Sequence, residues 1–334
     1  MVYILAEAGV NHNGSLELAY QLIEVAKKSG ADAIKFQTFK SEKVISENAE
    51  KAEYQKQTTG SDESQLDMVK KLELSYDDFK KIYLKCQEVG IKFISTPFDL
   101  DSVDFLNELG VDIFKVGSGD VTNYMMLKRI AKTGKKIILS TGMSTMDEVE
   151  NSVKFLYENG CRELVVLHCV SCYPTELHEL NLKCIKTLQE KLNIPIGFSD
   201  HTIGNKASIY SVCMGAEYIE KHFTLDKNME GPDHRASLNP EELNNFVKEI
   251  RECEIMLGNG IKVCQEREKE VRSIARRSLF VNKDLKEGHI INEEDLIPLR
   301  PYNGICVSKF ESLLGKKTVK NISKNQMLSN DLLN

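Results

Sequence analysis

The chain has 334 residues, 41% hydrophobic and 28% charged, with a formal net charge of −6. That length exceeds one ordinary domain and suits a barrel of about 250 residues with a small appendage. The net acidity argues against a general nucleic-acid binder, which carries a basic face, and no apolar stretch reaches the roughly 18 residues of a membrane span, so neither nucleic acid nor membrane is an expected partner.

The start, MVYILAEAGV, lacks a basic leader and runs directly into Asn11, His12 and Asn13, so it reads as a first strand and not a signal peptide; the cytoplasm is the expected location. Further strands are expected near 33–37, 92–96, 112–117, 136–141, 163–169, 195–199 and 217–223, after the first at 2–8. Between them lie segments with apolar residues at helical spacing, such as 16–30, 76–90, 146–160 and 240–257; the first three close on Gly30, Gly90 and Gly160, the residue that most easily takes a left-handed stop. Eight strands each followed by a helix give an α/β fold, a (β/α)8 TIM barrel over residues 1–257. A doubly wound sheet would want GxGxxG after the first strand, and EAGVNHNG lacks that spacing.

Residues 40–75 form one unusually long connection, rich in Glu, Lys, Gln and Ser, which reads as a lid or substrate wall or as a solvated excursion without a role. After Leu257 the pattern changes to a linker over 258–272 and a small, mostly β module over 273–334. Nine cysteines, an odd number spread over a chain this long, look like reduced thiols; Cys169 and Cys172 form a CxxC, but one that follows a barrel strand.

Nearly every strand ends in a small polar cluster, and in a parallel barrel all such ends share one face. Lys35 and Lys115 end the second and fourth strands, with Ser118, Ser140 and Ser199 after the fourth, fifth and seventh. Two ammonium groups and several hydroxyls at one mouth suit a small phosphorylated carboxylate, although any one of these serines serves equally as a helix cap. His201 and His222 end neighbouring strands, where two imidazoles can share a divalent ion; the alternative is a pair of hydrogen-bonded barrel-mouth histidines. Glu7, Asp200 and Asp233 can reach the same mouth, and His12 is a weaker third imidazole.

The motifs EAGVNHNG, KFQTF, STPFD, KVGSGD, STGM, GFSDHT, EKHFTLDKNMEGPDH and LRPYNGI, occurring in this order through nearly the whole chain, resemble the sialic acid synthase family, whose members condense phosphoenolpyruvate with an N-acetylated amino sugar. The resemblance implies that the C-terminal module is an antifreeze-like (SAF, β-clip) domain. It places Lys35, Thr96 and Lys115 on the phosphoenolpyruvate carboxylate and phosphate, and Ser118, Ser140, Ser171 and Ser199 around the phosphate. It assigns a divalent ion to His201 and His222, Mn²⁺ foremost and Mg²⁺ or Co²⁺ as alternatives. Gln37, Asp120, Tyr173 and Asp233 fall to the sugar, and Glu7, Lys35, Lys115 and Asp120 to catalysis. Arg300 matches the arginine that the module lends to a partner subunit, which implies a domain-swapped homodimer with Arg300 acting in trans.

Two departures stand out: Asp120 occupies a position where the family has glutamate, and Ser171 and Cys172 replace the usual Asn or Thr and Glu. Both fall where the resemblance puts the sugar and phosphate wall. N-acetylneuraminate, from N-acetylmannosamine, is the expected product. N,N'-diacetyllegionaminate, from 2,4-diacetamido-2,4,6-trideoxy-mannose, is the alternative, which EAGVNHNG, STPFDLDSVDFLNELG and EKHFTLDKNMEGPDHRASL match at least as well. Rival readings from other classes are a Schiff-base aldolase with Lys35, Lys115 or Lys221 as nucleophile, and an ice- or glycan-binding module scaffolded by the barrel.

Overall fold

The eight apolar runs form parallel strands β1 (Tyr3–Gly9), β2 (Ala33–Thr38), β3 (Lys92–Pro97), β4 (Ile113–Val116), β5 (Lys136–Ser140), β6 (Leu164–Cys169), β7 (Ile196–Asp200) and β8 (Tyr218–His222). They are hydrogen-bonded in that order and closed by β8 against β1, with Tyr3 opposite Tyr218 and Glu7 opposite His222. The structure is a computed structural model and describes residues 1–46, 49, 51 and 64–334.

The helices form where the periodicity places them. Leu16–Lys28 buries Ala19, Leu22, Ile23 and Ala26, one stripe at helical spacing, and Ser15 caps its first turn. Tyr76–Val89 ends on Gly90 at φ +74°, and Met146–Glu158 opens on a Thr145–Glu148 capping box. Pro240–Leu257 combines a proline in its first turn with an Asn239–Glu242 capping box, which removes one otherwise orphaned N–H and satisfies two others. Their apolar stripes pack on the outward residues of the strands to form the main core, which includes Ile4, Ile34, Phe36, Phe114 and Phe198.

Most outward residues are therefore apolar, and this makes each strand look like a continuous apolar run. The inward residues follow a different rule. Leu5, Ala33, Ile94, Ile113, Ile138 and Leu167 pack together inside the barrel. Two residues further along each of those strands come Glu7, Lys35, Thr96, Lys115, Ser140 and Cys169, which face the same interior because side chains on a strand alternate. The barrel is thus plugged with hydrocarbon and lined above the plug with polar groups.

Two backbone features shape the rim. A register shift between Glu7 and Gly9 in β1, with Gly9 at φ +54°, breaks the regular alternation beside Glu7. After β5, Gly142 leaves room where a Cβ would stand 2.2 Å from Ser171 Oγ and 3.0 Å from Ser118 Oγ.

The long connection is described only at its flanks, as helices Ser41–Val44 and Gln65–Lys70. Glu73 ties the second flank to the start of the first, accepting from Lys40 Nζ at 2.9 Å, Ser41 N–H at 2.9 Å and Ser41 Oγ at 2.7 Å. The lid reading of 40–75 falls in part on residues outside the described ones.

The chain divides into two compact units, Met1–Gly258 and Asn259–Asn334. A short helix, Glu268–Ala275, occupies part of the stretch read as linker. In the second unit β9 (Ser278–Val281) pairs antiparallel with β10 (Leu296–Leu299), around a core that includes Leu279, Val281, Ile291, Ile322 and Leu328. Asp295, fully buried there, accepts from His289 Nε2 at 2.7 Å and Asn292 N–H at 2.8 Å and pairs with Lys283 at 2.7 Å, which holds its carboxyl low, at about 2, despite burial. All nine cysteines are unpaired, and no helix among the described residues is long and apolar enough to cross a membrane.

Candidate active site

The polar strand ends converge on one cleft of about 340 Å³ at the C-terminal mouth of the barrel. Glu7, Lys35, Gln37, Thr96, Lys115, Ser118, Ser140, Ser171, Tyr173, Ser199, His201 and His222 all line it.

Its centre is a chain of buried charges. Lys35 Nζ stands 2.7 Å from Glu7 Oε2 and donates to Thr96 Oγ1 at 3.1 Å. Lys115 Nζ donates to Ser140 Oγ at 2.7 Å and to the Val116 carbonyl at 3.1 Å. Between the lysines sits Glu220, 3.9 Å from Lys35 and 3.7 Å from Lys115, with Ser199 Oγ donating to it at 2.8 Å. Burial works to raise the Glu220 carboxyl, but Lys115, Lys35 and the Ser199 hydroxyl outweigh it, so Glu220 stays ionised. Glu7 goes the other way: burial pushes it above the usual carboxylate range, and Lys35 offsets this only in part. Two carboxylates within reach of one lysine are thus held at opposite ends of the titration scale, a division of roles seen where acid–base chemistry is done. Lys115 is lowered by burial, while Lys35, which burial would also lower, is held up by Glu220 and Glu7.

Glu220 was not foreseen from sequence. The signal was present, since Glu220 and His222 are two apart on β8 and so share its inner face. The inward-pointing Cys169, whose Sγ lies 3.8 Å from His201 Nδ1, was seen only as half of a CxxC.

His201 and His222 stand with ring centres 5.7 Å apart, and the Tyr173 ring lies 4.0 Å from that of His201. His201 donates from Nδ1 to the Val170 carbonyl at 2.7 Å, which leaves Nε2 as the ring nitrogen available to a ligand. His222 Nδ1 is buried without a hydrogen-bond partner. Metal–nitrogen bonds of about 2.1 Å place two ligating rings about 5–6 Å apart, so the residues present fit one divalent ion. Among the described residues no cluster of three or more His, Cys, Asp or Glu side chains is arranged around an ion. The residues that would hold an ion here are His201 and His222.

Other residues that the sequence points to lie outside this cleft. Asp120 is not among the lining residues; its carboxylate accepts from Asn123 Nδ2 at 2.9 Å. His12 is buried in the wall near Phe36, and burial lowers it to about 4. Asp200 and Lys221 pair at 3.1 Å behind the strand ends, which removes Lys221 as a nucleophile facing the cleft. Asp233 lines an adjoining compartment, where burial raises it to about 6. Arg300 follows β10 in the second unit and is exposed.

A barrel of this order with a buried, charged mouth is built to hold a small polar ligand, and comparison with known proteins makes it a transferase that forms carbon–carbon bonds. A model of the NeuB family matches residues 22–262, and a model of the SAF domain matches residues 276–334. The N,N'-diacetyllegionaminic acid synthase of Campylobacter jejuni is 49% identical, covering 97% of this chain and 98% of its own length. The synthase of the same name from Legionella pneumophila is 45% identical over 96% and 91%. The crystal structure of N-acetylneuraminic acid (sialic acid) synthetase from Leptospira borgpetersenii in complex with citrate superposes with a TM-score of 0.73 at 37% identity, covering 81% of this chain and 90% of that one. The chain belongs to the NeuB family and carries a SAF domain at its C-terminal end.

Proposed function

We propose that the protein condenses phosphoenolpyruvate with 2,4-diacetamido-2,4,6-trideoxy-mannose to give N,N'-diacetyllegionaminate and phosphate. The observation that carries the reaction is the meeting of Lys35 and Lys115 in one buried cleft with the hydroxyls of Thr96, Ser118, Ser140, Ser171 and Ser199. Charge-assisted hydrogen bonds of this kind are the means of holding a small phosphorylated carboxylate. The choice of product draws on the relatives. Two proteins named N,N'-diacetyllegionaminic acid synthase are 49% and 45% identical, against 37% for the N-acetylneuraminic acid synthetase, which favours legionaminate over the N-acetylneuraminate expected first.

In this reading Lys35 and Lys115 exchange their contacts with Thr96 and Ser140 for the substrate's oxygens and hold its charge through the reaction. C3 of phosphoenolpyruvate attacks the aldehyde carbon of the open-chain sugar, water adds to the cationic C2, and the tetrahedral intermediate expels phosphate. A divalent ion held by His201 and His222, Mn²⁺ foremost, would supply Lewis-acid polarisation of the aldehyde. Glu7, raised by burial and oriented by Lys35 and by Gln37 Nε2 at 3.4 Å, is placed to take a proton from the attacking water. Glu220 keeps the two ammonium groups together when the cleft is empty of anion.

The test is phosphate release with phosphoenolpyruvate, Mn²⁺ and each sugar in turn. Release with the diacetamido sugar, at a higher kcat/KM than with N-acetylmannosamine, is the expected result. Release with neither would overturn the proposal.

A further inference from the structure

A second compartment of about 290 Å³ adjoins the charged cleft, and Gln37, Phe98, Tyr173 and His222 line both. Its chemistry is different. Val10, Phe39 and Leu72 form a small buried cluster of their own, with Val69 and Phe98 packed against it, and this cluster is one wall. Val44 and Ile45 come from one flank of the long connection, Met68 and Val69 from the other. The polar lining among the described residues, from Gln37, Tyr173, His222 and Asp233, belongs to the barrel side.

The helix Gln65–Lys70 shows how a charged segment makes such a wall. Asp67 and Lys70 are exposed, whereas Met68 is buried and Val69 half-buried. The Glu73 bonds to Lys40 and Ser41 tie the second flank to the start of the first, so the apolar face is held toward the mouth.

We infer that this compartment is the specificity-determining subsite for the deoxygenated, acylated part of the acceptor sugar, and that Val44, Ile45, Met68 and Val69 select it. The inference rests on the condensation proposed above. The sugar's aldehyde carbon must meet phosphoenolpyruvate inside the charged cleft, so the rest of the chain extends past the shared residues Gln37, Tyr173 and His222 into the neighbouring space. A sugar rich in hydroxyls would bury them against Val and Met side chains that offer no hydrogen bond, a cost for each one left unpaired. A C6 methyl and an acetamido methyl bury there with a gain instead. One apolar group more or less in such a pocket changes kcat/KM by about 10- to 200-fold.

The experiment compares kcat/KM for 2,4-diacetamido-2,4,6-trideoxy-mannose and N-acetylmannosamine in the wild-type chain and in the variants Val44→Asn, Val69→Asn and Val69→Phe. Val44 is 41% exposed and Val69 half-buried, so both positions accept substitution with little risk to the fold. Each asparagine variant should lower the preference for the diacetamido sugar by about 10-fold or more, with the KM for phosphoenolpyruvate unchanged. Val69→Phe, which fills the space, should penalise the bulkier diacetamido sugar more than N-acetylmannosamine. Calorimetric titration with phosphoenolpyruvate reports whether each variant is folded. Equal losses on both sugars, or an unchanged ratio in folded variants, would overturn the subsite. A wild-type chain that prefers N-acetylmannosamine would overturn it while leaving the condensation standing, and one that uses neither sugar removes both readings.

Discussion

Glu7 and Glu220 lie within reach of the same ammonium group yet titrate in opposite directions, and the difference is one of partners. Glu220 has two lysines and a serine hydroxyl; Glu7 has chiefly Lys35, with Gln37 Nε2 at 3.4 Å. If Glu7 is the proton acceptor, it works only when ionised. With its folded value raised above the ordinary carboxylate pKa of about 4.3, lowering the pH protonates it early. The acid limb of the kcat/KM profile should therefore fall well above the ordinary carboxylate range, toward neutrality. An acid limb near 4 would show that Glu7 is not the group that must be ionised. The same residues mark the boundary of what could be read from sequence. Lys35, Lys115, Ser140 and Ser199 were legible because polar residues at the ends of apolar runs stand out. Glu220 was hidden within EKH, beside a histidine and a lysine that drew attention first. Asp120 follows a strand end in KVGSGD, and its carboxylate accepts there from Asn123 Nδ2.

The elements were legible because two periods coincide with two environments. Strands of the barrel are covered on the outside by helices and plugged below by hydrocarbon, so their apolar runs are long and unmistakable, and the helices between them carry one buried stripe and recognisable caps. The flanks of 40–75 were not legible in the same way. Their apolar pairs, Val44–Ile45 and Met68–Val69, are too short to set up a period among the charges around them, and a wall built from two separated pairs has no signature along the chain. The turn after β5 shows how tightly the connecting segments are constrained. The Gly142 N–H donates to Ser118 Oγ at 2.9 Å, and a Cβ at this residue would meet Ser171 Oγ at 2.2 Å and Ser171 N at 3.2 Å. Gly142→Ala must displace two hydroxyls assigned to phosphate. Overpacking of this kind costs about 1–3 kcal/mol of stability, so the melting temperature should fall by a few degrees, and the displaced hydroxyls should raise the KM for phosphoenolpyruvate about 10-fold or more. An unchanged KM would remove Ser118 and Ser171 from the phosphate wall.

At the scale of the whole molecule the question is why a complete barrel is followed by a module of its own. Each unit has a separate hydrophobic core, and the second holds a buried carboxylate, Asp295, with three partners of its own. The barrel's mouth is lined with acids, hydroxyls, imidazoles and two lysines, but the apolar compartment beside it holds no cation among the described residues to meet the carbonyl oxygen of an acetamido group. Arg300, exposed on the module, carries the fork of N–H donors suited to that oxygen. We propose that it is supplied by a partner subunit in a homodimer, and complementation separates this from supply within one chain. Lys115→Ala and Arg300→Ala should each be nearly inactive alone. If Arg300 acts in trans, a mixed dimer of the two variants contains one site with both defects and one with neither. Random exchange of subunits in an equal mixture then restores about a quarter of wild-type activity, because half the dimers are mixed and half of their sites are intact. If Arg300 acts within its own chain, every site in the mixture carries a defect, and activity stays at the level of the single variants. Refolding the two variants together and measuring phosphate release against each alone decides between them.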